Sequence, residues 1–333
     1  MRKLFVFVLF ALIIGCSKSN EKFILDKITV FKSNKFFTQN NILGLLSFRE
    51  LKNDKYIFVD HVNFQISILN LKTNYFNKFG RKGNGPGEFK FQPRDAQQFN
   101  DELIVLHGLG LTFFSTKNYS FIKAIPLYNT SMFALNKSDS LIYVASFLRI
   151  NSKQKIFSIY DLEGNLIKDV YLEFAKKSKT KTGFDKVYLS FVDEKIFAVM
   201  EHSHNIYVYD KFGKYLKTVN VDYKYQTNPP AETVAHGSYI PFANQSIIKL
   251  TSNIYGLILG WNYKDHFKIV CFDKELKELG RLKLIKNPRN KLSPPIFVKA
   301  KKGFYFYHKS MEDLEVSFAK LDTNKLKQML EIE

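Results

Sequence analysis

Apolar and polar residues alternate in short runs along this chain, and a polar turn closes each run before the next one begins. The clearest copies are residues 156–161 followed by 166–168, and residues 206–210 followed by 215–217. Alternation over such short stretches is typical of strands that bury one face. No stretch has the spacing of a long amphipathic helix, so the pattern predicts a chain built of strands.

The same cassette returns six times, and a polar residue marks the end of the third strand in each copy. These six markers are Asn70, Thr116, Asp161, Asp210, Asp273 and Asp322. The markers are 45 to 49 residues apart, except for one interval of 63 residues that indicates an insertion. Four-stranded units of this length are typical of propeller blades. We therefore predict an all-β fold, a six-bladed β-propeller of four-stranded antiparallel blades.

Two units show all four strands directly. We place them at 46–51, 56–60, 65–71 and 75–79 in the first unit, and at 186–192, 195–201, 205–210 and 215–221 in the fourth. A further alternating segment, 23–37, precedes the first unit. We expect it to pair with the last blade, because this would close the ring and leave no open sheet edge.

The N-terminus has the features of an export signal. Arg2 and Lys3 precede an apolar run over residues 4–14, which is shorter than the ~20 residues that span a membrane. The run ends in Ile13-Ile14-Gly15-Cys16, which resembles the lipobox of bacterial lipoproteins. The resemblance implies a signal peptide at 1–15 and an acylated Cys16 that begins a tether at 16–22. The predicted propeller then occupies 23–333. An ordinary signal peptide with a chance cysteine is the alternative.

The residue after the cysteine bears on localisation. By resemblance to lipoprotein sorting rules, Ser17 favours an outer membrane lipoprotein, so the membrane is the first predicted partner. The tether carries one glutamate between lysines. It leaves periplasmic and surface-facing orientations equally open, and the oligomeric state is not predicted.

Composition narrows the remaining partners. The net charge of +19 comes almost wholly from lysine, whereas arginine is the residue suited to bidentate recognition of phosphates and bases. We therefore predict no nucleic-acid partner. The lysines form either a solvated coat or a contact with acidic glycans, lipid head groups or an acidic protein. Cys271 is the only cysteine besides Cys16, so we expect a buried structural thiol and no intrachain disulfide.

A glycine-rich connector follows the first unit. The run Gly80-Arg81-Lys82-Gly83-Asn84-Gly85-Pro86-Gly87-Glu88-Phe89, with Pro93 after it, resembles the connectors of NHL-repeat and TolB-like propellers. It is still more similar to six-bladed propeller lipoproteins of Bacteroidetes-type bacteria. The resemblance implies glycines at positive φ, Phe89 in a core and Pro93 at the start of a strand. The Gly-Lys-Ser/Thr and helix of a phosphate-binding loop do not follow.

The long connections between units should share one end of the propeller with the loops between second and third strands. They span 80–93, 175–185, 222–244 and 285–295. Histidines recur in the second-to-third-strand loops, at positions 61, 107, 202, 204 and 308. His202 and His204 are weak candidates for metal ligands. The alternative is a set of hydrogen-bonded or solvated histidines without a metal.

Aromatic residues favour a binding role at this end. The candidate ligand-binding residues are Tyr239, Phe242, Trp261, Tyr263 and Arg149, with His236 nearby in the longest connection. Such rings stack on sugars or insert into a partner protein, although they could also only pack the insertion onto its blade. We predict a non-catalytic binding or scaffold module for a glycan or an envelope protein, with no cofactor and no catalytic residues. The alternative is a metal-assisted hydrolase or lactonase with its site at the channel mouth.

Overall fold

A computed structural model places most of the predicted propeller. It describes residues 25–32, 45–51, 55–70, 73, 75–149, 155–172, 184–185, 187–200, 205–221, 243–260, 266–286, 296–300, 303–309, 314–321 and 323–330. Within these residues the strands form six four-stranded antiparallel sheets and one two-stranded ribbon. No helix in this part of the chain is long and apolar enough to cross a membrane.

The strands are numbered in chain order, starting with β1 (Leu25–Lys32). Blade 1 contains β2 (Leu45–Glu50), β3 (Lys55–Asp60), β4 (Gln65–Asn70) and β5 (Tyr75–Phe79). Blade 2 contains β6 (Pro93–Phe99), β7 (Glu102–His107), β8 (Gly110–Ser115) and β9 (Phe121–Pro126). Blade 3 contains β10 (Thr130–Asn136), β11 (Leu141–Ser146), β13 (Lys155–Asp161) and β14 (Leu166–Tyr171), and the ribbon pairs β12 (Leu148–Arg149) with β15 (Phe184–Asp185).

Blade 4 contains β16 (Val187–Val192), β17 (Lys195–Met200), β18 (Asn205–Asp210) and β19 (Tyr215–Asn220). Blade 5 contains β20 (Ala243–Lys249), β21 (Tyr255–Gly260), β22 (His266–Phe272) and β23 (Glu278–Lys286). Blade 6 contains β24 (Ile296–Ala300), β25 (Gly303–Lys309) and β26 (Leu314–Leu321), with β1 as its outer strand. A short helix, α1 (Thr323–Met329), follows β26.

The first strands of neighbouring blades contact one another from β24 through β2, β6, β10 and β16 to β20. First strands therefore surround the axis, and fourth strands form the outer edge. In blade 6 the fourth place belongs to β1, which pairs antiparallel with β26 from Leu25 opposite Leu321 to Lys32 opposite Glu315. The predicted fold of six blades is confirmed, and so is closure of the ring by an N-terminal strand.

Antiparallel order gives the propeller two different ends. The crossover end carries the connections between blades, such as 80–92 and 127–129, and the loops between second and third strands, such as 61–64 and 108–109. The turn end carries the first-to-second turns, such as 137–140, and the third-to-fourth turns, such as 162–165. Loops on such a rigid scaffold commonly carry functional residues, so both ends are candidate positions for a site.

The hydrophobic core lies between blades. One cluster joins blades 2 and 3, where Leu106 and Phe113 pack with Phe133 and Val144. Comparable clusters join blades 1 and 2, blades 3 and 4, and blades 4 and 5. Since each blade buries both faces against its neighbours, the middle strands read as almost continuously apolar. Cys271 belongs to this core, and burial raises the pKa of its thiol to about 12, as expected for a structural cysteine.

Three of the marker residues have side chains that close the turn after the third strand. Asp161, Asp210 and Asp273 each accept a hydrogen bond from the backbone N–H four residues later, at 2.8 Å. Such side-chain bonds to the local backbone favour turns over continued strand. Asn70, Asp161 and Asp210 are the last residues of their strands, and Thr116, Asp273 and Asp322 follow the last residue directly.

In blades 2, 3 and 4, the lysine seven residues after the marker contacts the next blade at the outer edge. Lys123 pairs with Glu163 of blade 3 at 3.0 Å, and Lys168 donates to the backbone oxygens of Phe212 and Gly213 of blade 4. Lys217 donates to the carbonyl of Glu275 of blade 5. In blade 5 the same position is Gly280, and there Leu330, just after α1, packs against the sheet. The sequence pattern did not reveal this helix, which is too short to be stable without such packing.

The glycine-rich connector has the predicted geometry at Gly80 and Gly87, whereas Gly83 and Gly85 do not have the expected positive φ. Gly80 and Gly87 have φ of 79° and 76°, and Phe89 is fully buried. Arg81 Nε donates to Glu88 Oε1 at 2.6 Å, and Gly85 N donates to Glu88 Oε2 at 2.8 Å. These two hydrogen bonds, the Gly85 one above all, hold the pKa of Glu88 below its usual value. β6 begins at Pro93, so the connector joins blades 1 and 2 as the resemblance implied.

Candidate functional site at the crossover end

The loop between β3 and β4 is closed by one carboxylate. Asp60 Oδ1 accepts hydrogen bonds from the backbone N–H groups of Val62 and Asn63, each at 3.2 Å, and Asp60 Oδ2 accepts one from Asn63 Nδ2 at 2.8 Å. The loop is further covered by the connector, since Lys82 Nζ lies 5.6 Å from the centre of the Phe64 ring. Val62 remains 44% exposed at its tip. The loop therefore presents an apolar tip from a well-supported backbone.

The crossover end also carries a group of aromatic and cationic side chains, Phe91, Arg94, Tyr128 and Phe147, which we call the rim patch. Phe91 packs directly over Gly108, and Leu127, the neighbour of Tyr128, donates its N–H to Leu109 O at 2.8 Å. The Phe91 ring and the backbone next to Tyr128 thus flank the turn between β7 and β8. Phe91 is 47% exposed and Tyr128 is 79% exposed.

Arg94 is the cationic member of the rim patch, and two contacts hold it in place. Its NH1 group donates to Thr130 O at 2.5 Å, and its guanidinium carbon lies 5.3 Å from the centre of the Phe147 ring. Burial lowers the pKa of Arg94, but the group stays cationic at neutral pH because arginine starts so high. Arginine has five N–H donors, and its contacts within the described residues use one of them. The geometry therefore presents a held cation beside two exposed rings.

His107 lies beneath the rim patch and is part of its support. Leu109 N donates to His107 Nδ1 at 3.3 Å, and His107 Nε2 lies 2.9 Å from Thr112 Oγ1. Because Nδ1 accepts a hydrogen bond, the ring is neutral with its proton on Nε2. Burial, helped by the charge of Arg94, lowers its pKa to about 4. The ring is neither a free base nor an open metal ligand at neutral pH.

Deeper in the channel, Asp95 of blade 2 joins three blades. Its carboxylate accepts hydrogen bonds from Ser47 Oγ at 2.7 Å, from Arg49 Nε and NH2 at 2.9 and 2.7 Å, and from Gln97 Nε2 at 3.2 Å. Gln97 also donates to Phe133 O of blade 3 at 2.8 Å. Burial alone lowers the pKa of Arg49, but the ion pair with Asp95 outweighs it and leaves a net rise.

This network determines what the channel carboxylate can do. Asp95 is 2% exposed as a side chain and Arg49 is 32% exposed. Both carboxylate oxygens of Asp95 are occupied, one of them by three donors that include the backbone N–H of Ala96. Asp95 is therefore placed to hold blades together and is not available as a general base or metal ligand.

The structure brings together a different set of residues from the predicted one. Tyr239, Phe242, Trp261, Tyr263, His202, His204, His236 and Cys16 lie outside the described residues, so their roles stay predictions. Arg149 follows the second strand of blade 3 as predicted, and it sits in the ribbon opposite Phe184. Among the described residues, no three His, Cys, Asp or Glu side chains come together as a group that could hold a metal ion.

The sequence reasoning missed the rim patch because its members lie in the short connections of blades 1 to 3. The sequence favoured the longest connection, 222–244, because aromatic residues are most numerous there. A usable signal was present nonetheless. Phe91 and Tyr128 stand outside the alternating runs, with Phe91 two residues before Pro93 and Tyr128 directly before Asn129. A large ring at such a turn position has no strand face to pack on, so it tends to be exposed.

Comparison with known proteins identifies the fold family. The family model DUF5128, described as a 6-bladed beta-propeller, matches residues 37–246. Among solved structures, a Bacteroides fragilis protein described as exported aligns with a TM-score of 0.61 and 14% identity, over 90% of this chain and 95% of that one. A Bacteroides vulgatus member of the duf4221 family aligns with a TM-score of 0.59 and 13% identity, over 91% and 99%.

A third solved structure has a known activity. Virginiamycin B lyase from Staphylococcus aureus aligns with a TM-score of 0.53 and 11% identity, over 84% of this chain and 80% of that one. At these identities the likeness extends to the fold alone. No curated protein sequence matches the chain. Because the family model covers more than half of the sequence, this chain belongs to the DUF5128 family of six-bladed β-propellers.

Proposed function

We propose that this protein is a lipid-anchored cell-envelope propeller that binds a partner without chemical turnover, through the crossover end of blades 1 to 3. The rim patch carries the proposal. Exposed Phe91 and Tyr128, with Arg94 held between Thr130 O and the Phe147 ring, combine the residue types that dominate binding energy at interfaces. A rigid backbone around the patch reduces the entropy lost on binding.

Two features support the envelope location. The N-terminal run ends in a lipobox-like Gly15-Cys16, and a structurally similar Bacteroides protein is described as exported. Acylation at Cys16 with two or three chains would hold the protein durably at the outer membrane. Incorporation of a fatty-acid analogue tests this step. The Cys16→Ser variant should lose the label, and retained label would contradict the anchor.

Of the partner classes, an envelope protein fits the rim patch better than a glycan. Tyrosine, phenylalanine and arginine at the same end of the propeller as the exposed Val62 favour contact with a folded protein surface. A glycan with acidic groups remains the other outcome. The lysine-rich surface would steer either acidic partner towards the propeller.

Photo-crosslinking in the native cell tests the binding surface. A photoreactive phenylalanine analogue replaces Tyr128 in one strain, and Thr218, an exposed residue on the outer strand of blade 4, in a control strain. We expect a discrete protein adduct from position 128 alone. An adduct that resists protease and stains for sugar would replace the protein partner with a glycan, and no specific adduct from position 128 would refute this binding surface.

A substitution then measures the contribution of the ring. Tyr128→Ala should weaken binding of the crosslinked partner about thirtyfold, which corresponds to ~2 kcal/mol for a well-packed aromatic anchor. The fold should be unaffected because the ring is 79% exposed. Affinity measured with the purified lipoprotein, alongside Thr218→Ala as control, distinguishes a contact residue from a bystander.

A further inference from the structure

An apolar pair recurs at the start of the fourth strand in four successive blades. The pairs are 75–76, 121–122, 166–167 and 215–216, each five and six residues after the marker of its blade. We call them the apolar belt. Apart from half-buried Phe76, their side chains are between 38% and 54% exposed. The fourth strand is the outer edge of its blade, so no further strand of the same blade lies beside it.

The exposed apolar surface is concentrated at one end of the molecule. Of the twelve large apolar side chains exposed within the described residues, eight lie at the turn end, namely seven from the apolar belt and Phe212. Single exposed apolar residues are ordinary, but a patch repeated around one end indicates a contact surface. These residues do not build the core, which lies between the blades.

The N-terminal strand enters the propeller from that same end. Leu25 pairs with Leu321, the last residue of the third strand of blade 6, so β1 begins where the third-to-fourth turns lie. Eight residues, 17–24, separate Cys16 from Leu25. A segment of this length reaches at most about 30 Å when fully extended. An anchor at Cys16 therefore brings the turn end, and with it the apolar belt, towards the lipid.

Exposed charges of both signs lie at the turn end, where the first-to-second turns carry Asp101, Asp139, Asp193 and Glu194. Lys117, Lys214, Lys274 and Lys277 are exposed on the third-to-fourth turns, next to the starts of the fourth strands. The exposed acidic residues of these turns are Glu163 and Glu275. Aromatic and aliphatic side chains flanked by lysines are the combination that lies at lipid head groups, where rings and lysine stems bury apolar surface and the ammonium groups stay wet.

We propose that the turn end of the propeller docks on a membrane surface through the apolar belt, so that the crossover end points away from the membrane. The orientation rests on the proposed anchoring at Cys16, whereas contact between belt and lipid has its own basis in the exposed pairs and lysines. A second copy of the chain or a partner protein on the belt are the competing occupants.

Fluorescence quenching by brominated lipids tests the docking. The acylated full-length mature protein is reconstituted into vesicles of phosphatidylethanolamine and phosphatidylglycerol, with and without brominated acyl chains. The Ile167→Trp variant places a reporter in the belt, and the Tyr128→Trp variant places one on the rim patch. The unsubstituted chain supplies the background from Trp261. We expect at least a twofold loss of the added emission for Ile167→Trp and no change for Tyr128→Trp.

Each other outcome decides the matter. Absence of quenching at position 167 overturns the docking and leaves the belt to another protein chain. Equal quenching at both positions overturns the orientation. The mass of the purified protein reports acylation separately. If Cys16 carries no lipid, the proposed anchoring fails, and quenching of Ile167→Trp after addition from solution still decides whether the belt binds lipid.

Discussion

The inner and outer strands of the propeller are opposite in chemistry. Around the axis, Asp95 gathers Ser47, Arg49 and Gln97 into a hydrogen-bonded network across blades. At the outer edge, pairs such as Leu166 and Ile167 are each 54% exposed to solvent. Polar groups are thus enclosed while apolar groups face outwards, the reverse of the usual distribution.

This difference indicates that the fold depends more on the inner polar groups than on the outer apolar groups. The inner polar groups are costly to bury and must satisfy one another, so every one of them constrains the position of a neighbouring blade. The outer apolar groups, apart from Phe76, are 38% to 54% exposed, so the fold gains less from them than from the fully buried core. Surface that contributes little to folding yet recurs in four blades is best explained by a contact outside the chain.

The largest expected effect comes from breaking the inner network. Asp95→Ala leaves Arg49 without its counter-ion and removes an acceptor from Ser47 and Gln97. We expect a loss of about 3 kcal/mol in the free energy of unfolding, the lower end for a buried pair because Arg49 is partly exposed. Urea denaturation measures it. Asp95→Asn, which keeps acceptor oxygen, should lose less, and a loss below ~1 kcal/mol for Asp95→Ala would contradict the structural role.

A smaller effect should follow from acidification. The pKa of His107 is lowered in the folded state to about 4, mainly by burial, while the unfolded chain titrates near its ordinary value of about 6.5. Between these values the unfolded state binds more protons, so stability falls as the pH falls through this window. We expect His107 to account for a loss of about 2 kcal/mol between pH 7 and pH 5.

The His107→Gln variant provides the comparison, because glutamine does not titrate. Unfolding free energies of both proteins at pH 7 and pH 5 isolate the contribution of the histidine. A pH dependence that is equal in the two proteins would show that His107 is readily protonated in the folded state.

The smallest effect is expected at the outer edge. The double variant Leu166→Ser with Ile167→Ser should change the free energy of unfolding by no more than ~0.5 kcal/mol, since both side chains are exposed. Ile156→Ala, a fully buried control in the same blade, should lose about 3 kcal/mol. If the double variant destabilised the protein as much as the control, the apolar belt would be part of the folding core.

Much of the fold was predictable because it repeats. Asp161 and Asp210 end strands through local hydrogen bonds, so the same residue type reappears wherever the same turn does. The connector was predictable for a similar reason, since the positive φ of Gly80 and Gly87 needs glycine and the buried site of Phe89 needs a large apolar residue. In each case the cause lies within a few residues along the chain.

The site was less predictable because its contacts join distant residues. Arg49 and Asp95 are 46 positions apart, and they meet only because adjacent first strands are set side by side in one register. Exposure of Phe91 and Tyr128 likewise depends on how the turn between β7 and β8 lies beneath them. No local pattern records the packing of one blade against another, so single-sequence reasoning could name the end of the propeller but not these residues.

Closure of the ring also bears on the order in which the protein folds. The pairing of Leu25 with Leu321 joins residues roughly 300 positions apart, whereas each of the first five blades pairs strands that follow closely in sequence. Pairing of residues far apart in sequence costs more loop-closure entropy, so it forms after the local sheets. During synthesis, β1 appears first but has no partner until β26 exists. The edge of β1 therefore stays unpaired until the last blade is complete, which leaves it open to non-native strand pairing during that interval.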